Sequence, residues 1–317
     1  GGDPYPLGEP DCHPHEASSV RGAYFRKVAA EPRADALAIH FVATLPRIEI
    51  DLGRWFTPPE PGLAWQTGPL DRPSFYVGGR ASGVEVDAGL TWDRVYHVDG
   101  RPTFTDTLAS GSDEGQPAHR FVVEANGNVV SVAGQLRPEG LRGLVENFAF
   151  RPFWRAEGEW NNPPVGSPQN VYFYTGETIR AQIKASAPQT LELVINQDGG
   201  DKTFSVEMTV SGWGVGAAQS FKRVTSIDQF TVIDGVRVGL ETAGLDVLPT
   251  QTRLLDAHFH EVTIRGAASA VLFPLDCDRP AVIGADALFQ TSYDQIFRLF
   301  DQDASGAERI DIVPSDG

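Results

Sequence analysis

Apolar and polar residues alternate over short stretches throughout the sequence, which is the pattern of half-buried β-strands. In residues 47–52 the apolar side chains Ile48, Ile50 and Leu52 would share one face of an extended chain. Glu49 and Asp51 would then lie on the other face. Similar segments recur along most of the chain, with turn-forming residues between them. This pattern predicts an all-β protein, and we expect an antiparallel β-sandwich or jelly roll.

Two turn signals favour antiparallel pairing of these strands. Asn126-Gly127 and Asp234-Gly235 each lie between two strand-like segments. Asn-Gly and Asp-Gly supply the positive φ angles that a two-residue hairpin turn requires. We therefore expect a β-hairpin at each of these two positions.

One stretch near the C-terminus has helical rather than strand periodicity. Ile296, Phe297 and Phe300 are spaced as on one face of a helix, which predicts a short helix over Ser292–Phe300.

The domain organisation follows from where the periodic pattern is interrupted. Residues 1–20 are rich in proline, glycine and acidic residues, and they predict an extended N-terminal arm. Residues 21–317 predict a single large β-sandwich domain. Prolines and glycine interrupt the pattern at 160–168, where a division of this domain is the alternative.

The charge balance excludes some partners. Acidic residues outnumber basic ones 42 to 26, which gives a formal net charge of -16. Such a chain would be repelled by the phosphates of a nucleic acid and by an anionic membrane surface. No apolar run approaches the roughly 20 residues that a membrane-spanning helix needs, so we expect no transmembrane segment.

The two cysteines, Cys12 and Cys277, lie near opposite ends of the chain. A disulfide between them would clamp the ends of an antiparallel fold, and structural disulfides persist in oxidising compartments. We expect an extracellular or periplasmic protein with this disulfide. The alternative is a pair of unreactive thiols.

The strongest candidate for chemistry is a strand framed by glycines over residues 83–92. Alternation places Glu85 and Asp87 on one face and the apolar residues between them on the other. The segment resembles the Glu-x-Asp-x-x-Glu strand of the concanavalin A-like lectin and glucanase superfamily, with Leu90 in place of the last glutamate. The resemblance implies a jelly roll, glycan binding and a nucleophilic role for Glu85.

A glycosidase also needs a second carboxyl group roughly 5 to 10 Å from the first. Asp93, Asp106 and Glu177 are candidates. Glu85 would act as a nucleophile or a base, with Asp87 as its electrostatic partner. The alternative is a solvated acidic face beside Arg80 or Arg94. Candidate residues for stacking on sugar rings are Trp55, Trp65, Tyr172, Tyr174 and Trp213. For Trp55 and Trp65, which lie in a proline-rich loop, the alternative is that they close the end of the sandwich.

A first candidate metal site lies in a strand-like segment. Asp256, His258 and His260 would project from one face, which suits zinc, manganese or iron, while Glu261 would point to the opposite face. A surface histidine pair without metal is the alternative.

A second candidate metal site follows Phe300. Asp301, Asp303 and Ser305 resemble the first ligands of an EF-hand loop, which predicts a Ca²⁺ site. Ile312 stands where the loop needs its last glutamate, so an acidic turn is the alternative.

The sequence therefore predicts an exported β-sandwich that binds glycans and has glycoside hydrolase or lyase activity. The alternative is a non-catalytic extracellular structural or assembly subunit that binds protein partners. We also expect Arg223 to pair with Asp228 inside the fold.

Overall fold

The computed structural model describes residues 21–29, 32–51, 53–56, 68–94, 120–123, 129–133, 148–164, 171–275, 277–283 and 296–314 of the chain. These residues form strands almost throughout. The strands are β1 (Gly22–Val28), β2 (Ala38–Thr44), β3 (Arg47–Asp51), β4 (Trp55–Phe56), β5 (Gly68–Pro69), β6 (Asp71–Ala81), β7 (Val84–Arg94), β8 (Arg120–Val123), β9 (Val129–Ala133), β10 (Phe148–Ala156), β11 (Glu159–Asn161), β12 (Thr178–Gln197), β13 (Thr203–Gly214), β14 (Ser220–Ile233), β15 (Val236–Gly239), β16 (Arg253–Arg265), β17 (Val271–Pro274), β18 (Cys277–Ile283), β19 (Phe297–Phe300) and β20 (Glu308–Ile312).

The strands form two large antiparallel sheets. The eight-stranded sheet has the order β11-β10-β7-β6-β14-β1-β18, and β15 pairs with β14 outside this path. The ten-stranded sheet has the order β13-β12-β2-β16-β3-β8-β9, with β17 and β20 paired to β16 and β19 paired to β20. Each sheet takes strands from both sides of residues 160–168.

The core lies between the two sheets, where one face of each strand is apolar. Phe75 of the eight-stranded sheet stacks on Phe259 of the ten-stranded sheet, with ring centroids 4.4 Å apart. Phe41 meets both rings edge-on at 5.6 Å. The antiparallel β-sandwich expected from the alternating pattern is thus confirmed.

Strand alternation decides which side chains are buried. In β12 the side chains of Ile179, Ala181 and Ile183 are buried, whereas Arg180 and Lys184 between and beside them are exposed. The strand pairing expected for both hairpins is also present, and the Asn126-Gly127 turn itself lies outside the described residues. β8 pairs with β9, and β14 pairs with β15 through Asp234-Gly235, whose φ angles are 51° and 75°.

The helix expected near the C-terminus is wrong for Phe297–Phe300, which form the strand β19. These residues pair with β20, so neighbouring strands supply the backbone hydrogen bonds that a helix would make internally. A short apolar run fits both periods, and here the tertiary pairing decided. Residues 292–295 lie outside the described part of the chain. No helix in that part is long and apolar enough to cross a membrane.

A buried ion pair joins the two sheets. Arg223 of β14 points into the core, where its guanidinium contacts Glu308 of β20 and lies 4.0 Å above the ring of Phe259. The side chains of Arg223 and Glu308 have no solvent exposure. Lys27 of β1 adds a second cation 3.4 Å from the Glu308 carboxylate. These contacts hold the C-terminal strand pair against the eight-stranded sheet.

We predict that Glu308→Gln lowers the free energy of unfolding by about 3 kcal/mol, because it leaves the buried Arg223 charge without a carboxylate. Urea denaturation measures the loss. Asp198→Asn is the control, because it breaks only the exposed ion pair with Arg180 and should cost less than about 1 kcal/mol. Equal losses in the two variants would contradict a special role for the buried pair.

Candidate active site

The candidate site lies on the outer face of the eight-stranded sheet, which is the face that points away from the core. In β7 the side chains of Val86 and Ala88 are buried in the core, so Glu85 and Asp87 project to the outer face as expected. Lys222 of β14 projects to the same face. Its Nζ lies 2.8 Å from Oδ1 of Asp87 and also contacts Oε1 of Glu85.

The contact between Lys222 and Asp87 crosses β6, which lies between their two strands. The residue of β6 in register with both is Gly78. A Cβ at this position would lie 3.0 Å from Oδ1 of Asp87 and 1.9 Å from the carbonyl oxygen of Val86. The missing side chain at Gly78 therefore opens the space through which Lys222 reaches Asp87.

Glu85 and Asp87 have different surroundings although they share one ammonium group. Two oxygens that both contact one ammonium nitrogen lie at most about 6 Å apart. Glu85 is half-exposed, and Arg80 lies 3.6 Å from its Oε2. Asp87 is buried. The more exposed carboxylate is thus held between Lys222 and Arg80, while the buried one faces Lys222 and is in register with Arg155 of β10.

Burial raises the pKa of Asp87 above its ordinary value; the charge of Lys222 opposes this shift and that of Glu85 adds to it. For Lys222, burial lowers the pKa, but Asp87 and Glu85 outweigh burial and the pKa is raised. Lys222 is therefore protonated at neutral pH. Asp87 keeps its proton to a higher pH than an ordinary aspartic acid, which suits a proton donor.

A pocket of about 300 Å³ opens at this site. Its walls come from the turn between β6 and β7 and from the turn between β10 and β11. Both turns need left-handed backbone, with φ of 52° at Ser82 and 53° at Glu157. The volume is at the lower end of the range for small-ligand sites. The pocket is lined by Gly83, Val84, Glu85, Asp87, Arg155, Glu157 and Gly158.

A second group of polar residues, which are buried or half-buried, lies on the same outer face. The hydroxyl of Tyr24 donates a hydrogen bond to Oδ1 of Asp228. Burial raises the pKa of Asp228 to about 6; the hydrogen bond from Tyr24 lowers it and the charge of Asp87 raises it. Burial also raises the pKa of Tyr76, and the charges of Asp87 and Asp228 add to that shift. The two groups of residues are therefore electrostatically coupled.

Sequence reasoning did not select Lys222 or Asp228 as site residues, and its expected pairing of Arg223 with Asp228 is wrong. Arg223 and Asp228 are five residues apart in one regular strand, so they lie on opposite faces. Arg223 pairs with Glu308 in the core, while Asp228 bonds Tyr24 on the outer face. The alternation of residues 222–228 separates the two faces of this strand in the sequence. It does not show which face points to the core and which to the outside of the sandwich.

The glutamate missing at Leu90 has a structural explanation. β7 pairs with β6 and β10 without a register shift, so position 90 falls on the face opposite Glu85. Leu90 is fully buried in the core. An acid at this position would have no access to the pocket, and Asp87 is the residue that brings a second carboxyl group to Glu85.

The other acids proposed as partners of Glu85 lie elsewhere or outside the described residues. Asp93 is 3.7 Å from Arg151, and Glu177 forms an ion pair with Lys202. Asp106 belongs to the part of the chain that is not described.

Tyr172, Tyr174 and Trp213, which were predicted to bind ligand, do not line this pocket. Trp213 is buried in the core, where its Nε1 donates a 2.9 Å hydrogen bond to the carbonyl of Val84. Tyr174 lies beside Lys202, 5.0 Å from its ammonium, and the carbonyl of Tyr172 accepts a hydrogen bond from the same group. Trp55 begins β4, and Trp65 lies outside the described residues. A sugar-binding role for these residues stays a prediction, except that the buried ring of Trp213 offers no exposed platform.

An aromatic residue that sequence reasoning did not select lies nearer. Trp160 of β11 is in register with Arg155, which lines the pocket. Its ring is 40% exposed and stacks on Phe153 with centroids 4.2 Å apart. Trp160 therefore presents a fixed, exposed aromatic surface beside the pocket.

The predicted histidine metal site is not assembled as expected. No group of three or more His, Cys, Asp or Glu side chains able to hold a metal occurs among the described residues. Asp256 lies 3.6 Å from Arg309 and adopts a left-handed φ of 59°. His258 and His260 lie together, with ring centroids 4.0 Å apart.

The predicted Ca²⁺ loop is an exposed turn held by its own hydrogen bonds. Oδ1 of Asp303 accepts bonds from the backbone N–H and hydroxyl of Ser305 and from the N–H of Ala307. Asp301 lies 3.1 Å from Arg309. These contacts occupy Asp303 and place a cation beside Asp301, and Ca²⁺ binding stays a prediction.

Cys277 begins β18, and Cys12 lies outside the described part of the chain. Their pairing stays a prediction.

No protein-family model and no curated protein matches this sequence. Among solved structures, it is similar to scytalido-glutamic peptidase bound to a peptide-based transition state analog, with a TM-score of 0.43 and 8% identity over 93% of this chain and 99% of that one. It is also similar to SCP-B, a member of the eqolisin family of peptidases, in complex with the tripeptide Ala-Ile-His, with a TM-score of 0.40 and 8% identity over 93% of this chain and 99% of that one.

The expected resemblance to jelly-roll glycanases is found as a weak structural similarity to the beta-porphyranase of the human gut bacterium Bacteroides plebeius. The TM-score is 0.17 and the identity 8%, over 62% of this chain and 55% of that one. With identities of 8% and TM-scores below 0.5, none of these similarities identifies an activity for this chain.

The raised pKa of Asp228 predicts a pH-dependent stability. The folded-state pKa of about 6 exceeds the ordinary 3.8, so the folded protein binds the proton more tightly and stability falls as pH rises through that window. Asp228→Asn removes this dependence, and the variant should gain about 3 kcal/mol relative to the natural protein between roughly pH 3 and roughly pH 7, two values that lie below and above the window. Urea unfolding at both pH values measures the gain. Asp246→Asn, at an exposed site, is the control. A gain no larger than in this control would refute the raised pKa of Asp228.

Proposed function

We propose that this chain is a glycan-binding β-sandwich with glycoside hydrolase activity, and that Glu85 and Asp87 are its reacting groups. The observation that carries this proposal is a pair of carboxyl groups that share Lys222 at the wall of an open pocket but differ in burial. Two carboxyl groups whose surroundings favour different protonation states are what glycoside hydrolysis requires.

In the proposed reaction, Asp87 is the general acid and Glu85 is the nucleophile. Asp87 gives its proton to the glycosidic oxygen as the carboxylate of Glu85 attacks the anomeric carbon, which forms a glycosyl ester and releases the leaving sugar. The Asp87 carboxylate then takes a proton from a water molecule that hydrolyses the ester. A separation of at most about 6 Å is compatible with this retaining route. Lys222 and Arg80 stabilise the charge of Glu85 before attack.

Trp160 is the proposed platform for a neighbouring sugar ring. Its exposed ring is fixed by stacking on Phe153 and by a 2.8 Å hydrogen bond from Nε1 to Oδ1 of Asn162. A rigid aromatic face loses little conformational freedom when a sugar ring packs on it. The register with Arg155 places this platform next to the pocket.

We predict that Glu85→Gln and Asp87→Asn each lower kcat by about 100- to 10,000-fold on a polysaccharide that the natural protein cleaves. A panel of neutral and acidic polysaccharides, with release of reducing ends as the readout, identifies the substrate. Activity should fall as pH rises through the raised pKa of Asp87, because the general acid then loses its proton.

Asp93→Asn is the matched control, since Asp93 is another outer-face acid of β7 and does not line the pocket. Circular dichroism checks that each variant is folded. Full activity in Glu85→Gln, or neither cleavage nor binding of any polysaccharide in the panel, would overturn the proposal.

Export to an extracellular or periplasmic compartment is part of the proposal, and it rests on the two cysteines. We predict that Cys12 and Cys277 are joined in the protein isolated from its natural source without reductant. Mass spectrometry after thiol alkylation should then find no modified cysteine, whereas prior reduction should add two labels. Alkylation of both thiols without reduction would count against the disulfide and remove this support for export.

A second candidate function is the binding of a protein partner in an extracellular assembly. The observation that favours it is the end of the β14–β15 hairpin, where Val232, Ile233 and Val236 are large apolar side chains exposed to solvent. An exposed apolar patch is a common feature of protein-binding surfaces. Loss of catalysis in Glu85→Gln favours the hydrolase over this alternative.

A further inference from the structure

The histidine pair on the other sheet has the arrangement of a two-ligand metal site. His258 and His260 of β16 lie on the outer face of the ten-stranded sheet, whereas Glu85 and its pocket belong to the other sheet. Their ring centroids are 4.0 Å apart and their planes are inclined by 43°. His260 is exposed and His258 half-exposed, so both are open to an ion from solvent.

A β-bulge shapes this part of β16. The pairing with β2 shifts between Phe259 and Glu261, and both Phe259 and Val262 are buried in the core. The two residues between them, His260 and Glu261, must therefore both face outward. This corrects the expectation that Glu261 points to the opposite face. Glu261 is engaged by Arg265, at 3.2 Å, and does not take part in the site.

The ring of His260 is oriented by a chain of hydroxyl groups. Its Nε2 is 2.8 Å from Oγ1 of Thr44, which is 2.9 Å from Oγ1 of Thr178. This contact leaves Nδ1 of His260 as the nitrogen available to a metal. Metal-binding histidines commonly use their second nitrogen in such a hydrogen bond, which fixes the ring and its tautomer.

The spacing of the rings favours one coordination geometry. Two imidazoles bound to one metal at a right angle have centroids about 4.5 Å apart, and two bound at a tetrahedral angle have centroids about 5 Å apart, for metal–nitrogen distances of about 2 Å. The observed 4.0 Å is closer to the right-angled arrangement. Tetragonal coordination by nitrogen is preferred by Cu²⁺, which also binds such donors more tightly than other divalent ions of the first transition row.

We propose that His258 and His260 form a two-imidazole Cu²⁺ site, with water in the remaining coordination positions. The described residues supply no third side chain of the His, Cys, Asp or Glu type in a metal-binding group with them. The site is independent of the glycoside hydrolase proposal, because it lies on the other sheet and uses none of the same residues.

The test is a titration of the full chain with Cu²⁺. Isothermal calorimetry measures the affinity and stoichiometry, and electron paramagnetic resonance identifies the ligands of the bound Cu²⁺. The sequence contains a second His-x-His pair, so His13→Ala/His15→Ala is used as the background for all variants. We expect one equivalent of Cu²⁺ bound with two nitrogen ligands. His258→Gln and His260→Gln should each weaken binding at least about 10-fold, and Thr44→Val about 10-fold through loss of the hydrogen bond to His260.

His40→Gln is the matched control, because His40 lies on the neighbouring strand β2 beside Thr263 and outside the pair. It should leave Cu²⁺ affinity unchanged. The side chains of His258, His260, Thr44 and His40 lie on a sheet surface, and thermal denaturation confirms that each variant is folded. Unchanged affinity in His258→Gln and His260→Gln, or the absence of saturable nitrogen-coordinated Cu²⁺ in the background protein, would overturn the proposal.

Discussion

A charge buried in a protein must have an opposite charge beside it, and β14 carries two buried cations on consecutive residues. Lys222 and Arg223 point to opposite faces of the eight-stranded sheet because successive side chains of a strand alternate. Arg223 meets Glu308 in the core, and Lys222 meets Asp87 and Glu85 on the outer face. β14 therefore joins the two sheets through Arg223 and organises the candidate active site through Lys222.

The same constraint makes the two carboxyl groups different from each other. Glu85 and Asp87 have the same chemistry and lie on the same strand, and both contact Lys222. Burial raises the pKa of Asp87, whereas Glu85 is half-exposed and contacts Arg80 as a second cation. In the proposed reaction, the difference in position relative to solvent, and not the residue type, distinguishes the proposed acid from the proposed nucleophile. The proposal thus gives Asp87 a different role from the sequence-based hypothesis, in which it was an electrostatic partner of Glu85.

Alternation along the sequence was sufficient to predict the antiparallel sandwich and the common face of Glu85 and Asp87, because both depend on neighbouring residues. It could not predict Lys222, which lies 137 positions from Glu85 and reaches it only through the order of strands in the sheet. The bulge at His260 and Glu261 could not be predicted either, because it depends on the pairing of β16 with β2. One unpaired residue reverses the face of every residue after it. At Phe297–Phe300 the apolar spacing fitted a helix, and pairing with β20 made it a strand.

Gly78 shows how tightly the fold and the candidate site depend on each other. It is in register with both Asp87 and Lys222, and a Cβ there would collide with the backbone of Val86 before it reached the space between the charges. A residue with a side chain would thus require β6 and β7 to move apart, which separates Lys222 from Asp87. The buried ammonium would then lose its stronger partner, and Asp87 would keep the cost of burial without the charge that offsets it. The absence of one side chain in the central strand is therefore a condition for both the pairing of the strands and the electrostatics of the pocket.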